Sequence, residues 1–256
     1  MMLENMILEN VKNMPPSGIR KYFDMVHEME GVISLGVGEP DFVTPWNVRE
    51  AGIYSLEKGH THYSSNAGFL ELRYEISRYL YRRFNLSYHP ENEILVTVGG
   101  SEGIDLALRA LVGPGDEVII PEPSFVAYKG CTTFTGATPK VIELKAENEF
   151  KLTKEELLEA ITPKTKVLIM PFPNNPTGAI MTKEELQEIV DVLKDKEIII
   201  ISDEIYAELT YQTQHVSIAS FPEVKDQTLV INGFSKAYAM TGWRLGYVCG
   251  HPILIN

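Results

Sequence analysis

The sequence predicts an α/β fold of three layers, α/β/α, with a mostly parallel sheet between two sets of helices. Three observations predict it. From residue 94 onward, short apolar runs alternate with amphipathic segments, the pattern of repeated strand–helix units. One run, Glu197–Ser202, is nearly all isoleucine, as a strand buried on both faces requires. The residues capable of chemistry fall just after the apolar runs, where open parallel sheets bind ligands.

Composition sets the outer bounds. The chain has 256 residues, enough for one large core, or one domain plus a fragment. With 23 basic and 35 acidic residues its net charge is -12, which argues against nucleic acid or an anionic membrane surface as partner. No apolar run approaches the ~20 residues that cross a bilayer. Residues 1–14 carry acids and lack the basic start and apolar centre of a signal peptide, so the expected location is the cytoplasm. Cys131 and Cys249 stand far apart with no metal-type spacing and read as small buried apolar residues in a reducing compartment.

Taken in order, residues 1–31 read as a leader broken at Met14-Pro15-Pro16-Ser17-Gly18. Val32–Leu35 reads as a short strand running into Gly36-Val37-Gly38-Glu39-Pro40-Asp41, a loop that either turns or lets the backbone approach a ligand. A helix is expected from Pro45 towards Lys58, ending at Gly59. The polar loop Thr61–Gly68, which holds Tyr63, precedes a helix over Leu70–Asn85 with Leu72, Ile76 and Leu80 at helical spacing. His60, His62 and His89 have no partners at ligand spacing and read as surface residues.

Ile94–Val98 is the first strand of the repeated pattern. Gly99-Gly100-Ser101-Glu102-Gly103 then opens a helix through Val112, its small residues leaving main-chain N–H groups free for an anion. The nucleotide-binding spacing GxxxxGK[ST] is absent. Gly113–Asp116 is a turn, and Glu117–Ile120 a strand that ends before Phe125 and Tyr128, aromatics that by themselves read as core. Pro139–Leu144 is the next strand. Thr153 with Glu156, and Thr182 with Glu185, are capping boxes that start two helices. Between them, Lys166–Pro173 reads as a strand ending in Asn174-Asn175-Pro176-Thr177-Gly178. The isoleucine strand ends in Asp203-Glu204-Ile205-Tyr206, where Asp203 is either a paired buried acid or a helix cap. Thr228–Asn232 leads into Gly233-Phe234-Ser235-Lys236, then Gly242-Trp243-Arg244, and Leu245–Cys249 is the last strand.

Lys236 is the centre of the chemical reading. Its flanks are apolar and aromatic (Phe234, Tyr238, Met240, Trp243), Ser235 adjoins it, and a second cation, Arg244, comes eight residues later. A desolvated amine beside another cation loses its proton more readily and attacks carbonyl carbon, which points to Schiff-base chemistry. The arginine then holds an anion, most simply a phosphate. The strand ends bring an anion-binding turn, an asparagine, a carboxylate, a phenol and an amine to one rim.

These motifs resemble the class I/II aminotransferases, fold-type I pyridoxal-phosphate enzymes related to aspartate aminotransferase. The resemblance rests on Gly38-Glu39-Pro40-Asp41, Asn175-Pro176-Thr177-Gly178, Ser202-Asp203-Glu204-Ile205-Tyr206, and Ser235-Lys236 with Gly242-Trp243-Arg244, in the family's order. It covers nearly the whole chain and implies a seven-stranded sheet. It implies pyridoxal 5'-phosphate as cofactor, held as a Schiff base on Lys236, which also shuttles the substrate proton. Asp203 pairs with the ring nitrogen, Tyr206 and Asn175 with the ring oxygen, and Phe125 stacks on the ring. Gly100-Ser101-Glu102, Ser235 and Arg244 hold the phosphate. Tyr63 reaches the phosphate of a neighbouring subunit, which implies a homodimer. Gly38 and Asn175 line the substrate side. The substrates implied are an amino acid (aspartate, aromatic or alanine-like) and a 2-oxo acid. Residues 17–20 look like the bacterial aspartate/aromatic branch.

Two departures from the family stand out. Gly233 takes a place where relatives often carry a serine, removing one hydroxyl from the phosphate site. The chain also stops at Asn256, well before its relatives do. The expected division is an N-terminal arm with part of a small domain (1–44) and the large cofactor-binding domain (45–256), the C-terminal small domain and its carboxylate-binding arginine being absent. A carbon–sulfur lyase on the same fold, and a non-catalytic cofactor-binding fragment, are the alternatives.

Overall fold

The computed structural model describes residues 3–14, 31, 36, 38–211 and 213–256. The expected strand Val32–Leu35, the break at Pro15–Gly18 and the segment 17–20 lie outside the described residues. Within the leader the described residues include one short helical turn, α1 (Glu9–Lys12).

Seven strands form one sheet: β1 (Ile94–Thr97), β2 (Glu117–Glu122), β3 (Thr138–Glu143), β4 (Thr165–Met170), β5 (Ile199–Asp203), β6 (Thr228–Gly233) and β7 (Gly246–Cys249). Their order is β1-β7-β6-β5-β4-β2-β3. The pairs from β3 through β6 are parallel, while β7 runs antiparallel to both of its neighbours. The mostly parallel sheet is therefore as expected, with one reversed strand.

The helices are α2 (Trp46–Glu57), α3 (Leu70–Phe84), α4 (Gly100–Leu111), α5 (Ala127–Thr135), α6 (Lys154–Ala160), α7 (Lys183–Leu193) and α8 (Pro252–Ile255). Alternating strand residues send apolar side chains to both faces. Ile120, Val167, Ile169, Ile201 and Ile231 pack with Ile104 and Leu108 of α4 and Tyr128 of α5. On the opposite face, Ile119, Leu168 and Ile200 pack with Leu157 of α6 and with Leu186 and Ile189 of α7. Val230, Tyr247 and Cys249 pack with Ile76, Leu80 and Phe84 of α3. Two helical layers thus enclose the sheet. Both capping boxes form: Thr153 and Thr182 each accept from the main-chain N–H three residues on, and Glu156 and Glu185 return the contact.

Element ends differ from the sequence expectations for local reasons. β4 stops at Met170 instead of Pro173, because Pro171 and Pro173 have no N–H to give the ladder. Pro45 precedes the helix as its cap residue, and Trp46 is the first helical position. Asp203 is the last residue of β5 and caps no α-helix; its Oδ1 accepts from the Ile205 N–H at 3.2 Å, closing a tight turn. His60, His62 and His89 are exposed, as expected.

The reversed strand sets the geometry of the ligand rim. A Cβ at Gly246 of β7 would lie 2.5 Å from the Gly99 carbonyl carbon and 2.6 Å from the Gly100 nitrogen. Only hydrogen fits there, so the start of α4 rests directly on β7. Gly233 is less crowded: a Cβ there would meet Gly246 Cα and Leu245 O at 3.0 Å, so a serine requires those neighbours to give by a few tenths of an ångström. We expect Gly246→Ala to cost about 1–3 kcal/mol of stability through overpacking. A lowered urea midpoint with unchanged slope would register it; an unchanged midpoint would show that the crossing relaxes freely.

Candidate active site

The loop between β6 and β7 carries both predicted cations. It is closed at its base, where the Phe234 N–H donates to the Leu245 carbonyl at 3.1 Å and Gly233 pairs with Gly246. Ala239 and Arg244 within it have φ values of 51° and 56°, a region L residues rarely occupy. Its outer part is tied down by Thr44, whose hydroxyl donates to the Ala239 carbonyl at 2.5 Å and accepts from the Trp243 indole at 3.0 Å. Thr241 donates to Glu39 at 2.9 Å, joining this loop to the Gly38-Glu39-Pro40-Asp41 loop. The loop is thereby held in one shape from three sides.

Lys236 points into a cavity of about 370 Å³ whose wall includes Gly38, Gly100, Ser101, Phe125, Tyr128, Asn175, Asp203, Tyr206, Ser235 and Arg244. The amine donates to the Gly38 carbonyl and lies 5.6 Å from the centre of the Tyr206 ring. Burial lowers the lysine's proton affinity; Glu39 opposes that and Arg244 adds to it. The cause differs in part from the sequence expectation. Trp243 packs towards Gly52 and Thr44, and Phe234 against Tyr238 and Tyr247, while the cavity walls do the desolvating. A second hollow, of about 670 Å³, meets the first at Gly38, Tyr206 and Lys236 and opens onto Glu39, Asp41, Phe42 and Tyr211.

Asp203 closes the far wall. Its Oδ2 accepts from the Tyr128 hydroxyl at 2.7 Å and its Oδ1 from the Ile205 N–H. Burial raises its proton affinity, the two donors lower it, and the neighbouring Glu204 charge raises it again. Burial and the Asp203 charge likewise raise the Tyr206 phenol, while the Asn175 side chain, hydrogen-bonding that phenol, pulls it back. Phe125 meets Tyr128 edge to face, with ring centres 5.6 Å apart.

The end of the cavity nearest α4 is an anion-type cradle. The helix begins at Gly100 with no side chain capping its N–H groups. Arg244 donates to the Thr241 carbonyl at 2.9 Å and forms no ion pair among the described residues. Its guanidinium lies so close over Gly99 that a Cβ there would sit 2.5 Å from Nη2. Ser101 and Ser235 complete the cradle.

Of the residues singled out from sequence, Gly38, Gly100, Ser101, Phe125, Asn175, Asp203, Tyr206, Ser235, Lys236 and Arg244 meet at this cavity. Glu102 does not line it: its carboxylate turns back to accept from the Val98 N–H, leaving only its main chain towards the cradle. Tyr63 is fully exposed and lies outside the cavity wall. Sequence reasoning missed Tyr128 as a partner of Asp203, although its place three residues after Phe125 at the start of α5 was a signal. It also missed Asn174, whose Oδ1 accepts from the Thr177 N–H and hydroxyl at 3.2 and 3.1 Å and so fixes the turn that presents Asn175.

A sequence profile described as aminotransferase class I and II matches residues 30–256. The chain belongs to this family. It is 55% identical over 244 residues to the putative aminotransferase YugH of Bacillus subtilis, covering 95% of this chain and 63% of that protein. It is 42% identical over 246 residues to a probable N-acetyl-LL-diaminopimelate aminotransferase of the same organism, covering 96% and 62%. A mutant of Thermus thermophilus aspartate aminotransferase superposes with a TM-score of 0.90 at 38% identity, covering 97% of this chain and 65% of that one. The chain thus spans a little under two thirds of the length of these aminotransferases. The sheet and its helical layers are those of the aspartate aminotransferase fold.

Burying an ionisable acid has a cost that replacement should reveal. Asp203 binds its proton more tightly in the folded chain than in the unfolded one, so stability falls as pH rises through that window. Asp203→Asn, without added ligand, should therefore melt at a higher temperature than the parent at pH 7, with the gap closing as pH falls to the unfolded carboxylate value. Circular-dichroism melts across pH test this; a variant less stable at neutral pH would contradict it.

Proposed function

We propose that this chain carries the cofactor site of a pyridoxal-phosphate-dependent aminotransferase, which moves an amino group from an amino acid to a 2-oxo acid. The carrying observation is the pairing of a half-buried amine, Lys236, with a buried carboxylate, Asp203, across one cavity that ends in an anion cradle. The residues suit pyridoxal 5'-phosphate on chemical grounds. Arg244, with no ion pair among the described residues, the uncapped start of α4 and two serine hydroxyls match a phosphate, and the cavity volume suits one substituted ring.

Pyridoxal phosphate supplies a carbonyl carbon that condenses with amines and a ring that takes up electrons released at the substrate Cα. The chain's own groups divide the remaining work. Asp203 would accept from the ring nitrogen and favour its protonated form, with Tyr128 holding Asp203 in place. Tyr206 and Asn175 would hydrogen-bond the ring oxygen, and Phe125 would lie against the ring. Arg244, Ser235, Ser101 and the N–H groups of Gly100-Ser101-Glu102 would hold the phosphate. Lys236 is the amine that would bond the cofactor and the base that would move a substrate proton, its Nζ being held by the Gly38 carbonyl.

The second hollow, beyond Lys236, is the side from which an amino acid enters, meeting Gly38 where the two hollows join and Asn175 on the wall of the first. Names of relatives point to different amino acids, N-acetyl-LL-diaminopimelate and aspartate among them, so the proposal stops at the substrate class. Residues 45–256 form the large cofactor-binding domain, with 1–44 as the arm and part of a small domain. A homodimer is the proposed assembly: Tyr63, Trp46, Tyr54 and Phe69 are exposed on the described surface, and a second copy gives Tyr63 a phosphate to reach. A cytoplasmic location completes the proposal; no described helix is long and apolar enough to cross a membrane.

Mixing the purified chain with pyridoxal phosphate should give a visible Schiff-base absorbance that borohydride fixes covalently at Lys236 and that Lys236→Ala lacks. Adding an amino acid to the unreduced sample should convert the cofactor to its amine form. Release of pyruvate in place of that conversion would indicate elimination chemistry, and no band in a folded sample would overturn the cofactor reading.

A further inference from the structure

Behind Asp203, on the opposite face of the sheet, lies a second buried acid with no role in the cavity. Consecutive residues of an extended chain project to opposite faces. Asp203 faces α5 and the cavity, while Glu204 faces the layer that holds α3. Glu204 is 1% exposed, and all its polar atoms are engaged. Its N–H donates to the Ile231 carbonyl at 2.8 Å. Oε1 accepts from the Ser202 and Ser217 hydroxyls at 2.9 and 2.6 Å, and Oε2 lies 2.9 Å from His215 Nε2. The His215 side chain is itself 5% exposed, its ring meeting Phe84 of α3 edge to face at 5.7 Å.

We propose that His215 is the counter-ion of Glu204, and that the pair is a positioning unit for Asp203: His215 cancels the negative charge that Glu204 presents behind the carboxylate of the cavity. Two geometric facts carry this. The two acids are neighbours in the chain at the buried end of β5, where a charge is poorly screened. Among the described residues, the one ionisable group in hydrogen-bond contact with Glu204 is His215, a side chain that can carry the opposite charge. The Glu204 charge is felt at Asp203, and also at Tyr88, Tyr247 and Cys249 on its own face.

Other charges around the pair are already matched. Glu208, the next acid facing His215, is held by Arg83 through two contacts of 2.8 and 2.6 Å and by the Tyr79 hydroxyl at 2.7 Å. On the cavity face, Asp203 meets Tyr128 and Tyr206. Glu204 thus depends on His215 alone for a compensating charge among the described residues. The consequence for a ring nitrogen rests on the cofactor reading above; the effect on Asp203 does not.

The test reads Asp203 directly, in the 256-residue chain without cofactor. Aspartate carboxyl carbons are labelled with ¹³C, the Asp203 signal is assigned through Asp203→Asn, and its chemical shift is tracked against pH. His215→Asn leaves Glu204 charged and uncompensated, so the Asp203 midpoint should rise by about one pH unit, the order expected for a unit charge across one strand. Glu204→Gln added to His215→Asn removes that charge, and the midpoint should return to the parent value or fall below it. A midpoint unmoved in His215→Asn would overturn the proposal. So would a double variant displaced at least as far as the single, which is what packing damage alone produces. If His215→Asn does not fold, His215→Gln is read in its place, with the same expected rise and the same overturning result. Failure of the Schiff-base experiment would leave this titration unaffected, so the two readings fail separately.

Discussion

The rim of this sheet depends on one backbone contact, the crossing of β7 over the first turn of α4. At Gly246 the helix start is so close that a Cβ would overlap the Gly99 carbonyl carbon. Everything that gives the cavity its anion character derives from that approach. It seats the uncapped N–H groups of α4 beside the β6–β7 loop, and it lays the Arg244 guanidinium over Gly99. A larger residue at Gly246 would push apart two groups that come from distant parts of the chain and have no other reason to meet. Because β7 returns antiparallel directly beside β6, Lys236 and Arg244 also share one loop with a closed base. Their separation is set by the sheet instead of by side-chain chance.

On that frame sits an acid that the fold alone does not favour. Asp203 ends a strand that opens with three isoleucines, and its two donors only partly offset the loss of water. Such a group is suited to a cation received in the cavity beside it, which in the proposed function is a protonated ring nitrogen. The same logic explains Tyr128. Its hydroxyl fixes one carboxylate oxygen, so that the other is not free to rotate away from the cavity. The cost in stability and the capacity for chemistry are the same interaction seen with and without a ligand.

Much of this was legible in the sequence, for identifiable reasons. Strands read correctly where apolar runs were unbroken, as in β5 and β6, and helices where a capping box fixed the first turn, as in α6 and α7. The site residues were legible because parallel strands deliver the residues at their C-terminal ends to one rim, so order along the chain became position in space. The reversed direction of β7 was not legible, because a short buried strand carries no sign of its direction. Nor were Tyr128 and His215, since an aromatic near a strand end and a lone histidine read as core or surface until their partners are placed. The closeness of Gly233 to Gly246 was hidden for the same cause, since it appears only once β6 and β7 are placed side by side.

The two acids of Asp203-Glu204 show how one strand end can serve two faces. A buried carboxylate at the end of β5 has to stay ionised to bind a cation, and a second one adjacent to it works against that. The sheet separates them to opposite sides, but one strand's thickness of low-dielectric protein does not screen a full charge. What differs between the faces is the company. On the cavity side Asp203 receives neutral donors, which hold it without cancelling its charge and leave it able to attract a cation. On the other side Glu204 receives two hydroxyls and an imidazole, the one group of that set able to carry the opposite charge. An acid meant for a ligand must keep its charge uncompensated within the protein, and an acid meant for the scaffold must not. By that criterion the structure assigns Asp203 to the cavity and Glu204 to the frame.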